Sequence, residues 1–161
     1  MLTVQEIMSR PVVTVSMDAT LSEVQRIFER ERFHHVVVVD GGCAVGVISD
    51  RDLLKRLSPF VGSELNERRQ DENTLNLKAH QIMSRHPITV SPEDEVRRAV
   101  DMILEHRIRS LPVVDERDRP VGIVSWKDIL RWGSSQSVWG SQDESDPTLF
   151  DLDDDDARQA A

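Results

Sequence analysis

The sequence predicts an α+β fold: two β-α-β-β-α units paired face to face about a pseudo-twofold axis. Three observations predict it. Ile7-Met8-Ser9-Arg10 returns as Ile82-Met83-Ser84-Arg85, a shift of 75 residues. The run Val36–Val39 closes on Asp40-Gly41-Gly42, and Leu111–Val114 repeats it before Asp115. Each unit ends on the same pattern of glycine, two apolar residues, serine, two residues and aspartate, spanning Gly46–Asp52 and Gly122–Asp128. Two copies of roughly 50 residues are too few for an open solenoid, so each is expected to cover the other.

Holding the shift of 75 carries Thr14-Val15-Ser16 onto Thr89-Val90-Ser91, Arg32 onto Arg107 and Val38-Val39-Asp40 onto Val113-Val114-Asp115. One extra residue then enters the turn, and the shift becomes 76. That carries Val45-Gly46 onto Val121-Gly122, Ser49 onto Ser125, Asp52 onto Asp128 and Leu54 onto Leu130. In unit one, Thr20-Leu21-Ser22-Glu23 has the form of a capping box, in which hydroxyl and carboxylate satisfy free backbone N–H groups. Leu21, Val24, Ile27 and Phe28 follow at helical spacing. In unit two, Ser91-Pro92-Glu93-Asp94 is expected to cap a helix with proline in its first turn, ahead of the stripe Val96, Ala99, Val100, Ile103 and Leu104. Val36–Val39 then reads as a buried strand and Ala44–Ile48 as its hairpin partner; Leu111–Val114 and Val121–Val124 are the second pair. Short helices over Asp50–Leu57 and Trp126–Trp132 close the units.

These patterns divide the chain into a first repeat over 1–57, a connector over 58–77, a second repeat over 78–133 and a tail over 134–161. Ser58-Pro59-Phe60-Val61-Gly62 breaks the chain, and the polar stretch Glu64–Lys78, with Leu65, Leu75 and Leu77, reads as a helical connector on the module's edge. The tail is rich in Ser, Gln and Asp and is expected to stay unordered, or to serve as an acidic-aromatic docking segment. The net charge of −9 belongs largely to it, since eight acids and one base lie from Asp143 onward. The rest is near neutral and carries no basic stripe, which argues against nucleic-acid binding. A lone Cys43 excludes an internal disulfide and a thiolate metal site. Apolar runs no longer than Val36–Val39, and a start without a basic segment and apolar stretch, predict a soluble, cytoplasmic protein without a membrane partner.

Candidate chemistry gathers at the two unit endings. A helix N-terminus with a serine hydroxyl can hold a phosphate, and an aspartate three residues on can accept from both hydroxyls of a ribose. Ser49 and Asp52 would form one such site, Ser125 and Asp128 the other, with Arg51 and Lys127 adding positive charge. The same Ser-x-x-Asp pattern is also a capping box, and the residues alone leave both readings open. His34 and His35 are adjacent, so their side chains diverge and make a poor metal site; His80 and His86 are six apart with no helpful carboxylate spacing, and His106 is expected mid-helix on its polar side. Cys43 has no partner base for nucleophilic work. No metal site is expected, and no catalytic constellation that would make the chain an enzyme.

Taken in order and twice over, the IMSR starts, the VVVVD and LPVVD strands (Val36–Asp40 and Leu111–Asp115) and the G-h-h-S-x-x-D endings resemble a tandem pair of CBS (cystathionine-β-synthase) domains. The resemblance covers about residues 3–57 and 78–132. SPFVG followed by HQIM is similar to small stand-alone bacterial CBS-pair proteins. The resemblance implies two clefts that take adenosyl ligands (AMP, ADP, ATP or S-adenosylmethionine), without a covalent cofactor. Phosphate would meet Ser49 or Ser125, and ribose Asp52 or Asp128. The base would lie against Val47, Ile82 and Met83 in one cleft and Ile123, Ile7 and Met8 in the other. Residues ahead of the central strand, His34 and His35 or Arg109 and Ser110, would reach phosphate, Arg109 best because its guanidinium binds bidentately. Val37 stands where the second repeat has Pro112, and Phe33-His34-His35 departs from the usual pattern, so the clefts are expected to differ. The implied function is a non-enzymatic sensor: a homodimer that changes shape on binding nucleotide and signals to a further protein. The alternative is a dimeric assembly module with empty clefts, acting through its surface or tail.

Overall fold

A computed structural model of the chain describes residues 1–31, 34–57 and 74–135. The first repeat runs α1 (Val4–Ile7), β1 (Thr14–Ser16), α2 (Leu21–Glu31), β2 (His35–Asp40), β3 (Cys43–Ser49) and α3 (Asp50–Leu57). The second runs α4 (Ala79–Ile82), β4 (Ser84–Arg85), α5 (Val96–His106), β5 (Ser110–Val114), β6 (Pro120–Ser125) and α6 (Trp126–Ser135). Most of the connector (58–73), and the tail beyond residue 135, lie outside the described residues.

The hairpins form where the turn chemistry allows. Gly41 and Gly42 take φ of +56° and +85°, a left-handed pair that a two-residue hairpin requires and that a Cβ would strain. Asp40 thereby pairs with Cys43, and the antiparallel register runs on to His35 opposite Ser49. Val36, Val37 and Val38 are all fully buried, so β2 is covered on both faces, as its unbroken β-branched run predicts. In the second repeat the longer turn is closed by Asp115, whose Oδ1 accepts from the backbone N–H groups of Arg117 and Arg119. Its Oδ2 accepts from the Arg119 guanidinium at 2.8 Å and 2.7 Å.

The capping box at Thr20 is present: Glu23 accepts from the Thr20 N–H at 2.6 Å and hydroxyl at 2.9 Å. The cap expected at Ser91 is a correction. Ser91 N–H donates to Asp94 at 2.8 Å, but that closes a turn, and α5 begins only at Val96. The reason is tertiary. The carbonyls of Pro92 and Asp94 accept from Gln5 and Val4, and Val96 N–H donates to Leu2. Backbone groups that a first helical turn would use are committed to the start of the chain instead. Along the predicted stripe Val96, Ala99 and Ile103 are buried, whereas Leu104 is 70% exposed.

The sheets exchange their outer rows. β1 runs parallel to β2, β3 antiparallel to β2, and β4, from the start of the second repeat, pairs with β3 through Gly46–Arg85 and Val47–Ser84. In the other sheet β5 and β6 pair, Val90 bridges Val113, and Ser9, from the start of the first repeat, bridges Ile123. The cores follow the same exchange. Ala79 and Met83 pack with Val15, Val24, Val36, Val38 and Ile48; Val4 packs with Val90, Leu111, Val113 and Val124. Glycine makes room for the visitor each time: a Cβ at Gly46 would collide with Met83, and one at Gly122 with Met8. Each fully buried Val or Leu contributes about 2 kcal/mol, so the exchange ties each repeat to the other's core.

Candidate functional site

Each Ser-x-x-Asp pattern sits where a strand hands over directly to a helix, β3 to α3 and β6 to α6. In both copies the carboxylate turns back and caps its own helix. Asp52 Oδ2 accepts from the Ser49 N–H at 2.9 Å and hydroxyl at 2.6 Å; Asp128 Oδ2 accepts from Ser125 at 2.8 Å and 2.6 Å. The return bond, aspartate N–H to serine Oγ, measures 3.2 Å and 3.4 Å. The structural role that the pattern left open is therefore filled twice. What separates the copies is the second carboxylate oxygen.

At Asp52, no donor among the described residues reaches Oδ1, and the half-buried side chain lines a cleft of about 420 Å³. One wall comes from the first repeat (Val47, Ser49, Arg51, Asp52), the facing walls from Ser84–Ile88 and Arg107–Ser110 of the second. Among the described residues, Arg51, Arg85, Arg107 and Arg109 line the cleft with one carboxylate, Asp52, an excess of positive charge that suits a polyanion. His86, at φ +52°, lines it in a left-handed conformation that costs a side-chain-bearing residue strain; Arg107, at φ +53°, lines it from the left-handed C-cap of α5. Burial holds the His35 imidazole below the ordinary histidine value, against the pull of Asp50 and Asp52. For Asp50, burial pushes upward, but hydrogen bonds from His34 and from its own backbone surroundings keep it below the usual carboxylate range.

Asp128 is only 7% exposed, and its Oδ1 is taken. Ser9 Oγ donates to it at 3.0 Å from 119 residues away, and the Arg131 guanidinium at 3.3 Å. A sugar approaching Asp128 would have to displace both. Ser9 and Ser84 are repeat equivalents, but Ser84 remains exposed on the wall of the open cleft.

The structure brings Ser49, Asp52, Arg51, His35, Val47 and Arg109 together around the first cleft. Ile82 and Met83 do not line it. They belong to the first repeat's core, and the residues just after them form the wall. Ile7 and Met8 likewise pack against the second core, beside Gly122. Ile123 exchanges backbone hydrogen bonds with Ser9. Ser125 and Lys127 face a smaller cavity of about 300 Å³ between the repeats, which Ser49, Arg51 and Arg109 also line. Arg85, His86, Ile88 and Arg107 escaped the sequence reading as site residues. Arg85 and Arg107 each stood in a repeated position, which was a usable signal; His86 and Ile88 carried none. Among the described residues, no cluster of His, Cys, Asp and Glu could hold a metal ion.

A duplicated α+β unit with exchanged edge rows and a basic cleft between the copies defines a paired-repeat module. The CBS domain family matches residues 4–59 and 79–135, and this chain belongs to it as a CBS domain pair. A CBS domain-containing protein of Dictyostelium discoideum is 33% identical over 129 residues, 79% of this chain and 88% of that one. The CBS domain pair of protein MJ0100, solved with 5′-methylthioadenosine and S-adenosyl-L-methionine, superposes with a TM-score of 0.68 at 27% identity. That match covers 83% of this chain and 97% of the other. The cytosolic domain of the Mg2+ channel MgtE, solved with ATP, gives 0.63 at 26%, covering 81% and 48%. The chain spans less than half the length of several other relatives that it matches. Among the described residues, no helix is long and apolar enough to cross a membrane.

Proposed function

We propose that this chain is a regulatory, non-catalytic module that binds one adenosine nucleotide in the cleft beside Asp52. The observation that carries the reading is four arginines from both repeats lining one cleft with Asp52, whose Oδ1 meets no donor among the described residues. Asp52 Oδ1 receives a ribose hydroxyl, Val47, Ile88 and Ile108 offer the base an apolar wall, and Ser49, Arg51 and Arg109 take phosphate. The excess of guanidinium groups favours phosphorylated ligands over the sulfonium of S-adenosylmethionine. Because its walls come from both repeats, the ligand's affinity depends on their relative orientation, and its binding shifts that orientation. The neighbours solved with ATP and with S-adenosyl-L-methionine support an adenosyl ligand. A cytoplasmic location, where nucleotides are plentiful, goes with it.

Thermal unfolding against AMP, ADP, ATP, S-adenosylmethionine and adenosine tests this. At a hundredfold excess over Kd, a nucleotide raises Tm by about 5 °C or more, and Asp52→Ala removes the rise. A flat response to all five compounds defeats the reading. Leu54 on α3, Leu104 on α5 and Leu130 on α6 are 61%, 70% and 42% exposed, which supports a homodimer that covers these helices. A sedimentation coefficient of a monomer at all concentrations would rule that dimer out.

A further inference from the structure

The smaller cavity adjoins the nucleotide cleft, and Ser49, His35, Arg51 and Arg109 line both. Lys127, from the second repeat, lines the smaller cavity and not the nucleotide cleft. Its ammonium lies 3.1 Å from His34 Nε2, and His34 Nδ1 lies 2.7 Å from Asp50 Oδ2. An ammonium can only donate, so Nε2 accepts and the ring hydrogen sits on Nδ1, donating to Asp50. The chain Lys127 to His34 to Asp50 thus crosses from the second repeat to the first, and it leaves the ammonium facing a neutral ring nitrogen.

We propose that Lys127 reads the phosphate number of the nucleotide held in the first cleft. This rests on the nucleotide reading given above. A single phosphate ends at Ser49, Arg51 and Arg109, which all line both cavities. A second phosphate passes them into the smaller cavity and meets Lys127. A phosphate oxygen carries charge that an imidazole nitrogen lacks, so the ammonium leaves His34 for it. Lys127 is exposed on a flexible four-carbon stem, which makes the exchange easy. A nucleoside di- or triphosphate is then gripped by both repeats and exchanges one inter-repeat link for another, whereas a monophosphate leaves the Lys127–His34 link in place. Lys127 is therefore a specificity residue for a ligand whose sugar is held by the other repeat.

Isothermal titration of the full chain with AMP, ADP and inorganic pyrophosphate tests this, in the wild type, Lys127→Met and Lys127→Arg. ADP is expected to bind the wild type about tenfold more tightly than AMP. Lys127→Met should lose about that factor for ADP and change AMP less than about twofold, and Lys127→Arg should restore most of the loss. Equal losses for both nucleotides, or no loss for ADP, overturn the proposal and leave nucleotide binding standing. So does pyrophosphate binding as tightly as ADP, since the sugar cleft would then not deliver the phosphates. Failure of the wild type to bind either nucleotide brings down the nucleotide reading and this inference together.

Discussion

Asp52 and Asp128 occupy equivalent positions, cap equivalent helices and differ in one oxygen atom's company. Asp52 keeps Oδ1 clear of protein donors among the described residues and faces the cleft. Asp128 spends both oxygens on protein, through Ser125, Ser9 and Arg131, and is buried. Duplication therefore preserved the backbone device while the outer half of the carboxylate diverged. The repeat motif alone identifies a helix cap; a binding role needs an oxygen left over.

The largest contrast is expected from truncating the two aspartates. Asp128→Ala strands the half-buried Ser9 hydroxyl and Ser125 N–H and should cost about 2 kcal/mol in urea unfolding, with the nucleotide-induced Tm rise retained. Asp52→Ala loses a cap of about 1 kcal/mol and the nucleotide response with it. Equal stability losses, or a ligand response that disappears with Asp128, would erase the distinction between the two aspartates.

A smaller, symmetrical effect is expected at the glycines. Gly46→Ala and Gly122→Ala each force a methyl against a methionine from the opposite repeat, Met83 or Met8. Both should destabilise by about 1–2 kcal/mol. If only one does, the two exchanged starts are not equivalently packed.

The smallest effect concerns the hairpin turns. Hydrogen bonds from the Arg119 side chain and backbone, with a further one from Arg117, hold the Asp115 carboxyl down at about 2, against an ordinary 3.8. A depressed folded-state value means the contribution is present in full above about pH 4 and is lost as pH falls through about 2. Asp115→Asn should therefore flatten the acid limb of a stability–pH curve between pH 4 and 2. Parallel acid limbs for wild type and Asp115→Asn would refute this.

The strands, hairpins and helix faces were legible in the sequence because each rests on neighbours along the chain. Val36–Val39 is β-branched without interruption, Gly41-Gly42 permits one tight turn, and Thr20 and Glu23 are three apart. The start of α5 was not legible, because Leu2, Val4 and Gln5 claim the backbone around Pro92 and Asp94 from some 90 residues away. The short helices α1 and α4 escaped for want of a periodic pattern in four residues. At the site, Ser49 and Asp52 stood out as a motif. The closure of their counterpart did not, because Ser9 carries no local sign that its hydroxyl will reach Asp128. The connector and tail expectations, over 58–77 and 134–161, fall for the most part on 58–73 and 136–161, outside the described residues.

The swapped edge rows set a limit on how this molecule can be divided. A cut in the connector would yield two fragments, each holding the border strand its fellow needs and lacking its own. Neither piece could close its sheet alone, so the halves should melt in one transition and recover only when mixed. A domain boundary drawn by counting repeats is, for this chain, a line through the middle of two structures.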